Sequence, residues 1–511
     1  MPGTAHPAAT LLRPTLFPRH SSPLEPFLCY IQRTGYCSRE QSPGTPGTVL
    51  LARRAQKFAG ATTEDETGPT NAAWTTGAGA GLARRTKLLW GTAGLGAEAL
   101  RQSRGAWLVF FYAPPPGAGH AALLSLATVS VLLFAGKVLE ALVDTLIGYW
   151  SDRTTSRLGR RLPFILLATP PSAVFAVLLF APPVRTPGAV VAAGLFLTLE
   201  LFYLFNSLVN VPYDALLPEI GRTEDERLSL STWRVYSGVL GAGIGLVGSG
   251  LLVSRFGFRG MALALALLAV ATRYAGVAGV WRRADREPPA AHPPLWTSLR
   301  QTAANRRLIV FMLSFVLFST ALAMLVGLLP YYVTSVLQEA DTGTWSAILT
   351  AVGIGSMGLA LPVFGRLARR SSQDHAYRRA MLAAAVAFPI LFFAGSLPGI
   401  VPTAQALVAL VIVGAPLAGV YLFPGPIVAD LCDREARERG IRREGMFYSA
   451  QAFMDKVTEA FAPLLLGLLL LLGDRPGDTL GIRLVGPAAG LVVLVGYLAL
   501  RAFGGNAVEP A

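Results

Sequence analysis

Three charged side chains within one apolar run frame the chemistry of this chain. In KVLEALVDTLIGYWSDRTTSRLGRR, residues 137–161, Lys137, Glu140 and Asp144 fall at i, i+3 and i+7. On a helix they would share one face. Charge inside lipid is expensive, so three on one stripe require a functional reason. Glu140 and Asp144, one helical turn apart, can present two carboxylates to one cation or share one proton. Their repulsion in a low-dielectric site favours protonating one unless a cation intervenes. Lys137 partly neutralises the pair and disfavours a divalent ion. The pattern predicts a seat for Na⁺ or H⁺, with a purely structural charge network as the alternative.

Further polar residues interrupt the other apolar spans. Glu98 either faces a central cavity or pairs with Arg101 at i+3; Arg101 and Arg104 lie deeper and need partners. Glu200, Asn206, Ser207 and Asn210 precede Pro212 and offer oxygens to a cation or a substrate hydroxyl, or hydrogen bonds between helices. Asp214 reads as a gating or capping residue. Arg234, between Trp233 and Tyr236, either snorkels to the surface or grips a polar substrate beside aromatic rings. Gln451, Asp455, Lys456 and Glu459 share a fourth stretch, where Lys456 either faces the other half of the molecule or pairs with Glu459 at i+3. A gate is expected from Asp152, Arg153, Arg160 and Arg161 opposite Asp430, Asp433, Arg442 and Glu444. Ion pairs between those groups would hold one access state, and their individual weakness suits a switch.

The elements that must position these residues are membrane helices. The chain has 511 residues, 53% hydrophobic and only 14% charged, a balance that soluble domains of this size rarely show. Apolar spans near 88–113, 121–150, 163–183, 188–213, 230–253, 260–281, 307–335, 344–367, 378–397, 401–429, 444–472 and 481–502 predict twelve crossings. The net charge of +14 does not point to nucleic acid, because the arginines cluster in the breaks after the even-numbered spans. That alternation places both termini in the cytoplasm. The expected parts are an N-terminal extension 1–86, halves 87–281 and 307–503, a linker 282–306 and a tail 504–511. The extension has no secretory signal and reads as a disordered tail or an over-extended translation start. Cys29, Cys37 and Cys432 are too scattered for a disulfide framework or a metal site.

Four stretches carry a resemblance: LLWGTAGLGAEAL, EALVDTLIGYWSDRTTSRLGRRLPFIL, NVPYDALLPEI followed by TWRVYSG, and GIRREGMFYSAQAFMDKVTEAF. In this order and spacing the chain resembles the glycoside-pentoside-hexuronide:cation symporters of the major facilitator superfamily. The SDRTTSRLGRRLPF part also resembles the sucrose–proton carriers. The resemblance implies an all-α fold of two six-helix halves with a site at the midplane between them. It implies that Glu140 and Asp144 hold the coupling cation with Ser207 as a further oxygen ligand. It also implies that Glu98, Asn210, Arg234, Gln451 and Lys456 line the sugar site. Melibiose permeases have aspartates at the positions of Glu98 and Asn210 and an aromatic at Asp214, departures that argue against melibiose as the substrate.

The expectation is therefore a cation-coupled sugar or glycoside carrier working by alternating access. It would be a monomer in the inner membrane of a bacterium, with no cofactor beyond the coupling ion and no nucleic-acid partner. A carrier of a lysolipid or other amphiphile is the alternative within transport. A non-transporting sensor or scaffold on the same fold is the alternative outside it. Catalysis finds no motif: neither a nucleophile elbow, a metal-ligand cluster nor a nucleotide loop is present.

Overall fold

The computed structural model describes residues 82–154, 156, 158–182, 184, 186–221, 223–281, 306–439 and 444–504. The expected disordered tail up to residue 81, the linker 282–305, Arg442 and residues 505–511 lie outside the described residues, as do the side chains of Asp152, Asp433, Glu444 and Gln451. The described residues contain no strand; among their helices twelve correspond to the expected spans, and a further one covers Pro424–Arg439. The twelve are α1 Arg84–Tyr112, α2 Leu126–Arg153, α3 Leu162–Leu178, α4 Ala189–Ala215, α5 Glu224–Gly243 and α6 Ser249–Val280, then α7 Arg306–Tyr332, α8 Thr342–Arg370, α9 Gln373–Ala387, α10 Pro402–Leu422, α11 Glu444–Leu470 and α12 Leu480–Gly504.

Local chemistry sets where they begin and end. The side chains of Ser125, Thr223, Asp341 and Ser372 accept from the backbone N–H three residues on, capping α2, α5, α8 and α9. Pro163 and Pro402 stand in the first turn of α3 and α10, where no backbone donor is needed. Two expected spans end early. The run 378–397 stops as a regular helix at Ala387 ahead of Pro389, and 401–429 stops at Leu422 ahead of Pro424. Proline lacks the N–H and its ring crowds the preceding turn.

One boundary lies inside a continuous helical stretch. A π-helical turn, Ile244–Gly248, joins α5 to α6, and Gly257 inside α6 adopts φ 69°, ψ 177°. Packing on α1 shows what that does. Gly91 faces Trp233 and Gly245 faces Ala99, so α5 runs parallel to α1; Gly96 faces Ala269 and Gly279 faces Leu89, so α6 beyond Gly257 runs antiparallel. The chain reverses there, and the stretch Ser229–Val280 holds two crossings. Eight stretches among the described residues are long and apolar enough to cross a membrane by length and composition. α1 and α11 are not among the eight, being richer in charged residues, and α3 has only 17 residues.

The halves meet tightly at the end away from the arginine-rich loops. A Cβ on Gly250 would lie 2.6 Å from the Gly343 carbonyl, and one on Gly343 equally close to that of Gly250. Such backbone approach is how small residues seal helices in lipid. Beside them Ser254 donates to Asp341 Oδ2 (2.6 Å), and Tyr331 donates to the Ala113 carbonyl (2.8 Å). Gly467 of α11 packs on Ser130 of α2 at the same end.

Candidate functional site

Four helices, α1, α2 and α4 from one half and α11 from the other, converge on the expected cation seat. Gly136 of α2 faces Leu199, Glu200 and Tyr203 of α4, and Gly148 faces Val211. The same interval separates the two contacts on both helices, so Ser207 runs alongside the Glu140–Asp144 turn. Lys137 and Glu140 are each only 6% exposed. The Lys137 ammonium lies 2.6 Å from Glu140 Oε2 and 4.4 Å from the centre of the Tyr203 ring.

The partner from the second half is a pair of α11 residues one turn apart. Lys456 Nζ forms an ion pair with Asp144 Oδ2 and reaches Glu140 Oε1 at 3.4 Å. Glu459 accepts from Lys137 (2.6 Å), Arg101 (3.0 Å) and Arg104 (3.2 Å). The expected alternative of a Lys456 pair with Glu459 along one helix gives way to pairing across the halves. Glu459 is taken up by the three cations of the first half, while Asp144 and Glu140 offer Lys456 two carboxylates. Glu98 does bind Arg101, through both carboxylate oxygens at 2.5 and 2.9 Å, and also accepts from Gln102 (2.8 Å). Arg104 lies 5.1 Å from the ring centres of both Phe202 and Tyr203.

One oxygen stands out. Asp144 Oδ1 is buried and has no hydrogen-bond partner among the described residues. An orphaned carboxylate oxygen beside Glu140, with Ser207 alongside, is a donor set that fits a small monovalent cation. A bound cation there would neutralise the carboxylates that Lys456 now holds.

The remaining expected residues are placed differently from one another. Asn210 lies inside the first half: its amide donates to Asn206 (3.0 Å) and its carbonyl accepts from Arg273 (2.5 Å). Arg234 forms an ion pair with Asp214 and lies 5.6 Å from the centre of the Tyr213 ring. Gln451 is in α11, two turns before Glu459. Of the gate residues, Arg160 and Arg161 bind Glu219 (2.6 and 3.1 Å), and Asp430 binds Arg434 (3.1 Å). Asp152 and Arg153 end α2, Asp433 lies in the helix Pro424–Arg439, and Glu444 begins α11.

Glu219 and Arg273 were not singled out by spacing, and Glu459 was named only as a possible partner of Lys456. Glu219 sits in the short helix Leu217–Ile220 and ties down the arginine loop. Glu459 carries three cations of the other half. Arg273 is 5% exposed, with Nη1 unpartnered, and packs over Tyr213, whose ring stacks on Trp90. The signal available for Arg273 was a lone cation in an apolar span, which the cost of buried charge marks out.

The chain is similar to known membrane transporters. The sequence matches the family described as MFS/sugar transport protein over residues 89–478, and the chain belongs to that family. It is therefore a multi-pass membrane transporter of major-facilitator type and not an enzyme. The isoprimeverose transporter of Lactiplantibacillus pentosus is 25% identical over 378 residues, 72% of this chain and 76% of that protein. A putative sulfoquinovose importer of Salmonella typhimurium is 25% identical over 66% of this chain and 72% of its own. The sodium-dependent lysophosphatidylcholine symporter 1 of Mus musculus is 35% identical over 131 residues, 25% of this chain and 24% of that protein. The crystal structure of nucleoside transporter NupG covers 82% of this chain and 98% of its own, with a TM-score of 0.55 and 14% identity, a likeness of fold.

Proposed function

We propose that the protein couples entry of Na⁺ or H⁺ to movement of a sugar or glycoside by alternating access. The observation that carries this reading is Lys456. Its ammonium, tethered to the second half, holds Asp144 and Glu140 of the first. A free cation at those oxygens competes with Lys456 and releases it to the central site, so ion and substrate favour the same conformations. Glu98, Asn210, Arg234 and Gln451 complete the proposed substrate set, with Ser207 on the ion.

The arginine-rich end faces the cytoplasm in this reading, and the tight end of the bundle faces outward. Arg160 and Arg161 pair with Glu219, and Asp430 with Arg434, at the end where a latch between the halves is expected. Regrouping of Asp152, Arg153, Arg160 and Arg161 with Asp430, Asp433, Arg442 and Glu444 would close it. A second reading, a lysolipid or other amphiphile as cargo, is favoured by the matching quarter of the lysophosphatidylcholine symporter.

The test is uptake into proteoliposomes under separate Na⁺ and H⁺ gradients, over sugars, glycosides and lysolipids. Glu140→Gln is expected to abolish gradient-driven accumulation while folded protein remains in the membrane. Undiminished accumulation by that variant would sink the proposal.

A further inference from the structure

The intramembrane charges pair off unevenly. Arg101 has Glu98, Lys137 has Glu140, and Lys456 has Asp144, each independently of Glu459. Arg104 is different. Among the described residues its one ion pair is with Glu459, and otherwise its guanidinium lies beside two aromatic rings. Its side chain is 11% exposed, and Lys137 beside it is 6% exposed.

Arg101, Arg104 and Lys137 thus form a three-cation cradle in the first half, filled by one carboxylate of the second. Alternating access requires the halves to separate or turn against each other at this level. When they do, the cradle loses Glu459, and a buried guanidinium left without a counter-charge is strongly unfavourable. Planar donors in a fork also match a carboxylate, sulfonate or phosphodiester better than they match a neutral hydroxyl.

We propose that the cradle formed by Arg101, Arg104 and Lys137 is a binding site for an anionic group of the substrate, and that Glu459 occupies it as a tethered surrogate. The anionic group replaces the Glu459 carboxylate, with Arg104 at its centre and Tyr203 and Phe202 walling it. This rests on the carrier reading above and names the chemistry of its cargo. A sugar acid, a sulfonated sugar and a phosphodiester headgroup share that chemistry.

The experiment measures binding to the purified full-length protein by ligand-induced thermal shift. The probes are methyl β-glucuronide, its neutral counterpart methyl β-glucoside, methyl 6-sulfo-quinovoside and glycerophosphocholine, so the arms separate the three sources of negative charge. At least one anionic probe is expected to bind ten-fold or more tightly than the neutral glucoside. Arg104→Gln should remove that preference while leaving the neutral probe unchanged, and Arg104→Lys should restore part of it. Glu459→Gln should tighten the anionic probe several-fold, because the internal competitor is gone. Equal affinity for neutral and anionic probes overturns the proposal. So does a uniform loss in Arg104→Gln, or unchanged or weaker anion binding in Glu459→Gln, the readout that stands if Arg104→Gln fails to fold. Anion preference in binding without gradient-driven uptake would instead sink the carrier reading and leave the cradle standing.

Discussion

At the scale of single residues, pairing explains more than residue type does. Lys456 and Asp144 each neutralise the other across the two halves. Removing either partner strands a charge in a partly buried site, at a cost of about 1–3 kcal/mol. Lys456→Met and Asp144→Asn are therefore each expected to lower the unfolding temperature, and the double variant to lose clearly less than the sum. Strict additivity in thermal melts would count against the pair. Asn210 and Arg273 give the opposite prediction. Arg273 is already buried, with a neutral amide as its hydrogen-bond acceptor, so Asn210→Asp supplies a counter-charge without burying a new cation. Its expected effect is stabilisation of about 1–3 kcal/mol, read as a higher melting temperature. The acids and Lys456 were legible in the sequence because buried charge is rare enough to notice. Their partners were not, since spacing along one helix cannot say which helix lies opposite. That is why the i+3 relation suggested a Lys456 pair with Glu459 and missed the three cations that Glu459 holds.

At the scale of elements, the seal between α8 and the α5–α6 turn combines backbone contact with one carboxylate. Burial alone would raise the Asp341 pKa, but donation from Ser254 and from Thr344 and Gly343 outweighs it and holds the group below its ordinary value. A carboxyl depressed in the folded state contributes stability above its unfolded pKa of about 3.9 and loses it as pH falls through the folded value. The seal should therefore keep its strength through neutral and mildly acidic conditions and weaken only in acid below about pH 4. Asp341→Ala also deletes the cap of α8 and should cost about 1 kcal/mol at neutral pH. Gly250→Val probes the other half of the device. Its added atoms meet the Gly343 backbone, so the variant should expose a reporter cysteine at Ser254 to a membrane-impermeant thiol reagent. Labelling as slow as in the parent protein would show that the contact seals nothing. The helices themselves were readable from apolar length and the arginine alternation. Their early ends at Pro389 and Pro424 were hidden because apolar residues continue past the break.

At the scale of the whole molecule, the two halves are joined through the middle by ion pairs and at one end by glycine backbone. The tight end resists separation by close packing, whereas the central pairs can exchange one partner for another. The eight groups that make those pairs balance: Glu98, Glu140, Asp144 and Glu459 against Arg101, Arg104, Lys137 and Lys456. Balance has an electrical consequence. As the empty carrier turns, these eight groups move no net charge through the membrane field, so through them voltage acts only on what is bound. An ion travelling with a neutral glycoside moves one charge, worth about 2.3 kcal/mol per 100 mV. An ion travelling with an anion moves none. Currents recorded on a solid-supported membrane would thus read the charge of the cargo directly, a transient current for a neutral sugar and silence for an anionic one.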